Sequence, residues 1–473
     1  MRFSQHANLH REQPELDFVD IDPHHDLPLF IDPYALSCRE DMWSRACTDD
    51  IMSFFQATVD AIRSSRHNRA RLLLNNLSEP HETCLGLSRG RPRGHGVSGK
   101  QAYDLYQRLV QSRAVATGFL NELSDCELVI EGIGHDKISD ITTNVIRRRL
   151  ITYTQTQCEL HGVPLRKIAS GRLWDDQALM WTQEYTWLPV IGMRQIVLVP
   201  KAAVRWKPTL DHKDYYNHFV LNFLQNEALE TGSQLVNVLR NGTRVVHKSD
   251  LKKIYPLSKD FLYDFSMRHP DVWEDYKTQK AVLAPQTDHI GDGDDIALAR
   301  ALLARLGHIG PGPAAASAFH TLIIGILEFL FYPNLIWPVK ENEIHEGRKR
   351  IDISYTNAAI AGLFHRAFTN ADTNAKTVIV ECKNYSHDLE NPELDQIAGR
   401  FSHTRGRFGL LIGRSFVDKP LFIRRCRDTA VDGRGYILPL ADDDISAMLG
   451  LISDGRRGDV DFYLNQRWTM LLS

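Results

Sequence analysis

The segment TVIVECK, residues 377–383, is an apolar run that ends on an acid and a lysine. Its short, nearly all-apolar pattern predicts a strand at the centre of a sheet. Residues two apart in a strand share a face, so we expect Glu381 and Lys383 on one face and Cys382 on the other. Because the apolar run ends there, both charges are expected at the carboxyl end of the strand, where open α/β sheets tend to place their functional sites.

A second acid stands in a neighbouring predicted strand. Asp352 lies in RIDISY, residues 350–355, between Ile351 and Ile353, so its side chain leaves the strand on the face opposite theirs. If this strand pairs with the first, Asp352 and Glu381 converge.

A divalent metal would give these residues a shared role. The carboxylates of Asp352 and Glu381 and the backbone carbonyl of Cys382 are suitable ligands for Mg²⁺ or Mn²⁺, which prefer oxygen. The ion can lower the pKa of a bound water and polarise a phosphate, while Lys383 can orient or deprotonate the water or stabilise the transition state. Glu328 interrupts the apolar segment ILEFLFYP just before the strands. Because an unpaired buried carboxylate is costly, Glu328 is a further candidate metal ligand.

The elements that must position these residues follow the order α-β-β-β-α-β-α-β. Apolar spacing and Pro or Gly boundaries predict them. They are a helix over 314–332, strands at 336–339, 350–355 and 377–383, a helix over 391–403, a strand at 408–413, a basic helix, a strand at 436–440 and a helix over 443–452.

This order resembles the PD-(D/E)XK restriction-endonuclease-like superfamily, most closely its Mrr-like and related defence nucleases. An acid on the first helix, Asp on a strand, E-x-K on the next strand and Gln on the following helix carry the resemblance, over about residues 315–440. The resemblance implies an α/β core in a Mg²⁺- or Mn²⁺-dependent endonuclease that hydrolyses DNA. The matching residues are Glu328, Asp352, Glu381, Lys383 and Gln396.

Two positions depart from the family pattern. Some members carry Tyr four residues after the Gln, whereas Gln396 is followed by Arg400, and Ile351 stands where the motif has Pro. In the resemblance Asp352, Glu381, Lys383 and Gln396 would be catalytic, and Asp352, Glu381, Glu328 and the Cys382 carbonyl would hold the metal.

One segment of the chain has the basic charge that predicts a nucleic-acid partner, although the whole chain does not. The whole chain has a net charge of −3 and a pI near 6.7, which does not favour one. Between Gly399 and Arg427, however, eight basic residues stand against Asp418 alone, a local excess that suits a phosphate backbone. The alternative is a solvated face or a surface that docks acidic N-terminal elements. The residues predicted to bind DNA are Arg400, Arg405, Arg407 and Arg414.

The 473 residues predict two or three domains. We expect a mixed, mostly helical α/β region over 1–285 that senses or positions a ligand, a linker and connecting helix over 286–313, and a nuclease-like domain over 314–473. In the first region, helices are predicted over 40–74, 139–161 and 215–229, and a buried strand over 194–201.

Composition places the chain among cytoplasmic proteins. The seven cysteines are odd in number and form no CxxC pair, which favours a reducing compartment, and a run of about 18 apolar residues is missing, so no membrane span is expected. By analogy with similar nucleases, we expect a role in prokaryotic anti-phage defence, with a homo-oligomer or a defence-system protein as partner. Two other functions stay open: a nucleic-acid-binding scaffold with an inactive nuclease fold, and an RNase or ligand-gated nuclease.

Overall fold

The computed structural model describes residues 1–86, 99–288, 290, 294–340 and 353–472. The predicted metal ligand Asp352 lies outside the described residues. So does Ile351, its neighbour in the predicted strand.

The chain up to Leu283 is mostly helical, as predicted. Its helices are α1 (Phe3–His6), α2 (Pro33–Ser37), α3 (Met42–Arg63), α4 (His67–Leu74), α5 (Gly99–Gln111), α6 (Arg113–Thr117), α7 (Asp125–Val129), α8 (His135–Val145), α9 (Arg147–His161), α10 (His212–Tyr215), α11 (Leu221–Glu230), α12 (Lys248–Ile254), α13 (Lys259–Arg268) and α14 (Pro270–Leu283). A π-helical turn, Tyr216–Val220, joins α10 to α11, and 3-10 turns occupy Gln13–Glu15 and Lys201–Ala203.

Short strand pairs accompany these helices. They are β1 (Phe30–Ile31) with β8 (Val204–Arg205), β2 (Arg166–Ala169) with β5 (Tyr185–Leu188), β3 (Leu173–Asp175) with β4 (Met180–Thr182), β6 (Val190–Ile191) with β7 (Arg194–Gln195), and β9 (Asn237–Val238) with β10 (Arg244–Val245). The strand predicted over 194–201 is wrong beyond β7. Ile196–Val199 are buried but extended without a continuous ladder, since the Val197 amide bonds to the Glu82 carbonyl and the Val19 amide to the Val199 carbonyl.

The C-terminal part places helices around one five-stranded sheet. Its elements are α15 (Asp295–His308), α16 (Ala316–Phe331), β11 (Leu335–Val339), β12 (Ile353–Asn357), α17 (Gly362–Thr369), β13 (Thr377–Cys382), α18 (Asn391–Ala398), β14 (Phe408–Ile412), α19 (Lys419–Val431), β15 (Tyr436–Leu440), α20 (Asp442–Ser453) and α21 (Asp459–Leu472). The coarse prediction of a mixed α/β chain is confirmed.

The strand order of the sheet is β11-β12-β13-β14-β15. The pairs β11–β12 and β12–β13 are antiparallel, whereas β13–β14 and β14–β15 are parallel. β13 is therefore the central strand, with hydrogen-bonded neighbours on both edges, which agrees with its apolar sequence.

The two faces of the sheet have different covers. Val378 and Val380 pack into a core with residues of α15, α16, α17, α20 and α21, which we call the α16 face. Ile379 packs with residues of α18 and α19, which we call the α18 face. Along β13, the side chains of odd-numbered residues therefore point toward α18 and those of even-numbered residues toward α16.

Helix α16 is unusually apolar for a helix of this protein. With the preceding turn it spans Pro313–Phe331, 19 residues with a mean hydropathy of 1.8, which is long and apolar enough to cross a membrane. However, 61% of that apolar window is buried inside the protein. This burial is typical of the core helix of a globular domain.

Helix α15 lies within the segment 286–313 that was predicted as a linker and connecting helix. Leu298 and Leu302 of α15 belong to the core on the α16 face, so α15 is part of the C-terminal unit. On the other side, Ile290 packs into the N-terminal core, and the Arg205 guanidinium donates to the Ala284 carbonyl at 2.6 Å. The two units also share β11, since Ile336 and Trp337 join the N-terminal core while Leu335 joins the other.

Candidate active site

Glu381 is the acid at the carboxyl end of the central strand. Its residue is 0% exposed, and its side chain points to the α18 face, in line with Ile379. Burying a carboxylate is expensive unless charged or hydrogen-bonding groups compensate it. Three side chains provide that compensation.

Two of the three donors come from residues that the sequence predicted for this site. The Lys383 ammonium donates to Glu381 Oε1 at 2.6 Å, and the Gln396 amide donates to the same oxygen at 2.7 Å. Lys383 keeps a side-chain exposure of 16%, so it reaches solvent while Glu381 does not. The structure therefore brings Glu381, Lys383 and Gln396 together at one end of the sheet.

Arg400 is the third donor, and its predicted role was different. Its guanidinium forms an ion pair with Glu381 Oε2. The residue is only 4% exposed, so the prediction that Arg400 binds nucleic acid on the surface is wrong. Arg400 stands four residues after Gln396, in the turn after α18, where its amide donates to the Ile397 carbonyl at 3.1 Å.

Helix α18 carries Gln396, and the turn that follows it carries Arg400. Pro392 lies in its first turn, and the Glu390 amide donates to the Glu393 carboxylate at 2.9 Å, which fixes the start of the helix. Leu394 and Ile397 then anchor the helix on the sheet beside Ile379. The predicted helix over 391–403 is therefore too long, because α18 ends at Ala398.

Arg414 was also predicted to bind nucleic acid and has a structural role instead. Its guanidinium donates to Asp442 at 2.8 Å, to Asn384 Oδ1 at 3.0 Å and to the Ile309 carbonyl at 2.6 Å. Its side chain is 11% exposed and lies over the Phe319 ring. These contacts tie the carboxyl ends of β14 and β15 to the segment before α16, so Arg414 is not available to a phosphate backbone.

Arg405 and Arg407 are partly exposed but lie at the other end of the sheet. Arg407 precedes β14, and the Arg405 carbonyl accepts from the amide of Thr377, the first residue of β13. Glu381 is paired with Leu411, which comes four residues after Arg407 along the chain. At 3.3 Å per residue, Arg407 and Leu411 are about 13 Å apart along the strand. The expectation that these arginines lie beside the site is wrong.

The strand that carries the second predicted acid is described from Ile353 onward. Ile353 is paired with Val380, the residue before Glu381, in an antiparallel ladder. Asp352 itself is outside the described residues, so its role stays a prediction. The pairing of the two strands, on which that prediction depended, is observed.

Glu328 does not lie with Glu381. It is 1% exposed on α16, on the opposite face of the sheet, with Asp17, Lys201, Arg11 and Tyr355 as its neighbours. Burial raises the pKa of Glu328 well above its usual range, and the nearby Asp17 raises it further, while Lys201 lowers it. This placement removes the reason for assigning Glu328 as a ligand of the same metal, since the sheet separates the two carboxylates.

A second group of metal-ligand types lies in the N-terminal region and was missed from the sequence. Ligand atoms of Glu127, Asp211 and His212 lie within 4.8 Å of one another. The His212 ring bonds to Glu127 Oε1 at 2.8 Å, and the Lys259 ammonium lies 3.8 Å from Glu127 Oε2. The cluster unites a residue of α7 with the start of α10, which no local sequence spacing reveals.

Residues 8–211 match a family model described as Domain of unknown function (DUF8370). The match covers the N-terminal region as far as the start of α10 and stops before the five-stranded sheet. No match was found among curated proteins or among solved structures.

Proposed function

We propose that this chain is a metal-dependent endonuclease that hydrolyses DNA phosphodiester bonds at the end of β13. The observation that carries the proposal is the contact of Lys383 and Gln396 with one oxygen of the buried Glu381. An acid, a lysine and a glutamine around the end of a central strand are the residue types that the resemblance to PD-(D/E)XK nucleases requires. The order of strands, two antiparallel pairs followed by two parallel ones, is compatible with it.

Mg²⁺ or Mn²⁺ is the cofactor in this proposal. The oxygens that would hold it are the carboxylates of Glu381 and Asp352 and the Cys382 carbonyl, a donor set that suits a hard cation. When bound, the ion would activate a water molecule and neutralise charge on the phosphate. Of the two carboxylates, Glu381 is the one that the structure describes, and it is buried at the end of β13 with Lys383 and Arg400 as cationic partners.

The protein's own side chains then have distinct tasks. Lys383, which reaches solvent, can hold a proton at Nζ and place that charge against a phosphate oxygen. Gln396 and Arg400 are positioning residues, because they fix the two oxygens of Glu381 in the fold. As cutting both strands of a duplex takes two sites, we further propose a homo-oligomer, and by analogy a role in prokaryotic defence against phage, with or without a partner protein.

Cleavage assays on three variants test this function. Wild type, Asp352→Asn and Lys383→Met are compared on plasmid DNA, linear DNA and RNA with Mg²⁺ and with Mn²⁺. Loss of a positioned acid, base or charge at the site should lower the cleavage rate by roughly 10²–10⁴-fold. Lys376→Met, an exposed lysine directly before β13, is the matched control and should cleave like wild type. Equal cleavage by all four proteins would place the activity elsewhere, and cleavage of RNA alone would overturn the DNA substrate.

One observation favours a second candidate, a nucleic-acid-binding protein with an inactive or gated nuclease fold. Two cationic side chains, Lys383 and Arg400, already pair with Glu381, so a metal must compete with them. Protein that binds DNA but leaves it intact with either metal would support this candidate. Cleavage that starts only when a nucleotide or a phage component is added would support the gated form.

A further inference from the structure

The strand pair β2–β5 has one face that nothing in the described structure covers. The two strands are antiparallel, with Lys167 opposite Trp187 and Ala169 opposite Tyr185. Directly opposed residues share a face, so these four side chains form one surface, which we call the β2–β5 face. All four residues are exposed.

The other face of the pair is firmly held. Thr186 and Leu188 alternate with the exposed aromatics and are buried, Leu188 at 0% exposure. From α9, the Gln155 amide donates to Thr186 Oγ1 and to the Trp187 carbonyl, both at 3.0 Å. The strand that carries the aromatic side chains is thus fixed to the body of the protein, and the aromatic rings stand outward.

The exposure of these rings is large for their type. Tyr185 is 75% exposed and Trp187 is 52% exposed. Exposing large aromatic surface on a structured strand forgoes a substantial burial energy, so adjacent exposed aromatics mark binding surfaces more often than single exposed apolar residues do. Both side chains lie on a rigid element rather than on a loop tip.

The charge around the face is positive. Arg166 and Lys167 on β2 and Arg172 just after it are exposed, and none of them forms an ion pair within the part of the chain that the structure describes. The acid next to Tyr185 is Glu184, and its carboxylate is paired with Arg148 at 2.9 Å. The face therefore offers the Lys167 ammonium beside two aromatic rings, while Arg166, opposite Leu188, lies on the other side of β2.

We propose that the β2–β5 face binds single-stranded nucleic acid, with bases stacked on Tyr185 and Trp187 and a phosphate near Lys167. Stacking on an aromatic ring contributes about 1–3 kcal/mol per base and requires bases that are not already stacked in a duplex, which selects a single strand. Two residues of a strand span about 6.7 Å, close to twice the rise of about 3.4 Å per nucleotide. The proposal goes beyond the nuclease function and does not depend on it, since it assigns a ligand to the region of unknown function.

Binding without cleavage tests the proposal. The full-length protein is titrated, in EDTA so that no metal-dependent cleavage occurs, into a fluorescent oligodeoxythymidine and into a duplex of equal length, with anisotropy as the readout. The protein should bind the single strand more tightly than the duplex. Trp187→Ala and Tyr185→Ala should each weaken single-strand binding by roughly 5- to 100-fold, whereas Trp187→Phe should retain most of it. Tyr103→Ala, which removes a half-exposed aromatic on α5, is the control and should bind like wild type.

The salt dependence separates stacking from charge. Lys167→Ala should reduce the slope of log affinity against log salt by about 0.7, the value for one phosphate contact on a single strand, and the aromatic variants should leave the slope unchanged. Wild-type protein that does not bind the single strand overturns the proposal. So does binding that Trp187→Ala and Tyr185→Ala leave unaltered, because another surface would then be responsible. Neither outcome alters the cleavage assay on Lys383 and Asp352, so the two proposals fail separately.

Discussion

At the scale of single residues, Glu381 shows how a buried acid defines the site. Its two oxygens divide their partners, with Lys383 and Gln396 on Oε1 and Arg400 on Oε2. The Lys383 side chain reaches solvent, whereas the Arg400 side chain is 1% exposed and pairs with Glu381 inside the protein. Arg400 is therefore expected to stabilise the fold of the site, and Lys383 to meet a substrate.

Removing Arg400 tests this division. Arg400→Met should lower the free energy of unfolding by about 3–5 kcal/mol, because it leaves a buried carboxylate with one cation fewer. Denaturant unfolding followed by circular dichroism measures the change. Arg434→Met breaks the exposed pair between Arg434 and Asp395 and should have little effect. A loss below about 1 kcal/mol in Arg400→Met would contradict the role of Arg400.

Asp140 gives a second prediction at this scale, through pH. Burial, together with the nearby carboxylates of Asp136, Glu79 and Asp26, raises the pKa of Asp140 to about 8. A carboxyl whose pKa is higher in the folded protein binds more protons there than in the unfolded chain. Its contribution to stability is therefore present at about pH 4 and is lost as the pH rises toward about 8.

The variant Asp140→Asn should remove this loss. Its melting temperature should match that of wild type near pH 4 and exceed it by about 2–4 °C at pH 8, which corresponds to roughly 1 kcal/mol. Differential scanning fluorimetry across the pH range measures the difference, with the exposed Asp432→Asn as the control. A difference between Asp140→Asn and wild type that does not grow with pH would refute the linkage.

At the scale of elements, one glycine allows α18 to approach the sheet. A Cβ at Gly409 of β14 would lie 2.8 Å from the Ile379 carbonyl oxygen and 2.9 Å from Ile397 Cδ1. Real Cβ contacts are longer, so any side chain at Gly409 would push α18 outward and move Gln396 and Arg400 with it.

Gly409→Ala should therefore destabilise the protein by about 1–3 kcal/mol, as overpacking of a core does. Gly450→Ala is the matched control, since a Cβ there meets nothing within 4 Å and the residue lies within α20. Alanine in a helix should leave the stability of that variant unchanged or raise it by up to about 1 kcal/mol. Chemical unfolding of both variants measures the contrast. Equal stability of the two would mean that α18 tolerates displacement.

The strands of the sheet could be predicted from sequence because each is a short apolar run with a clear end. Strands predicted at 377–383, 408–413 and 436–440 are confirmed to within one residue as β13, β14 and β15. Helix ends were harder, because tertiary contacts decide them. The predicted helix over 40–74 is interrupted between α3 and α4, where Ser65 has a positive φ of 56°, and no Gly or Pro marks that break.

The site residues could likewise be predicted where a local pattern decides their position, but not where tertiary contacts do. Alternation along β13 predicted that Glu381 and Lys383 share a face, and the structure shows them in contact. The roles of Arg400 and Arg414 could not be predicted, because an arginine in a basic stretch has the same local pattern whether it is exposed or pairs with a buried acid. Helices α17 and α21 were not predicted, and α17, with eight residues, is shorter than the window over which helical spacing is recognised.

At the scale of the whole molecule, buried charges join the two parts of the chain. Asp17 accepts from the Tyr153 hydroxyl at 2.6 Å and from the Trp337 amide at 3.0 Å, so the N-terminal region holds β11 directly. Burial raises the pKa values of Asp17 and Glu328 and lowers the pKa of Lys201. The Lys201 ammonium interacts electrostatically with both carboxyl groups, while Arg11 acts on Glu328 and Arg39 on Asp17.

Replacing Lys201 tests how much its charge stabilises the protein beside these two acids. Lys201→Met should destabilise the protein by about 3–5 kcal/mol, and adding Glu328→Gln should recover part of the loss, because fewer uncompensated charges remain buried. Lys253→Met, an exposed lysine on α12, should unfold like wild type. Calorimetry should show one transition for wild type, since the two parts share β11 and the Asp17 contacts. Two separate transitions in wild type would contradict this link between the two parts, and additive effects in the double variant would contradict the coupling.

The central claim is that Asp352 and Glu381 share one divalent cation, and counting bound Mn²⁺ tests it most directly. Isothermal titration is performed in a His212→Ala background, so that the second cluster does not contribute an ion. We expect one Mn²⁺ per chain, lost in both Asp352→Asn and Glu381→Gln but kept in Asp395→Asn, an exposed acid on α18. Absence of binding, or equal binding in Glu381→Gln, would contradict the account.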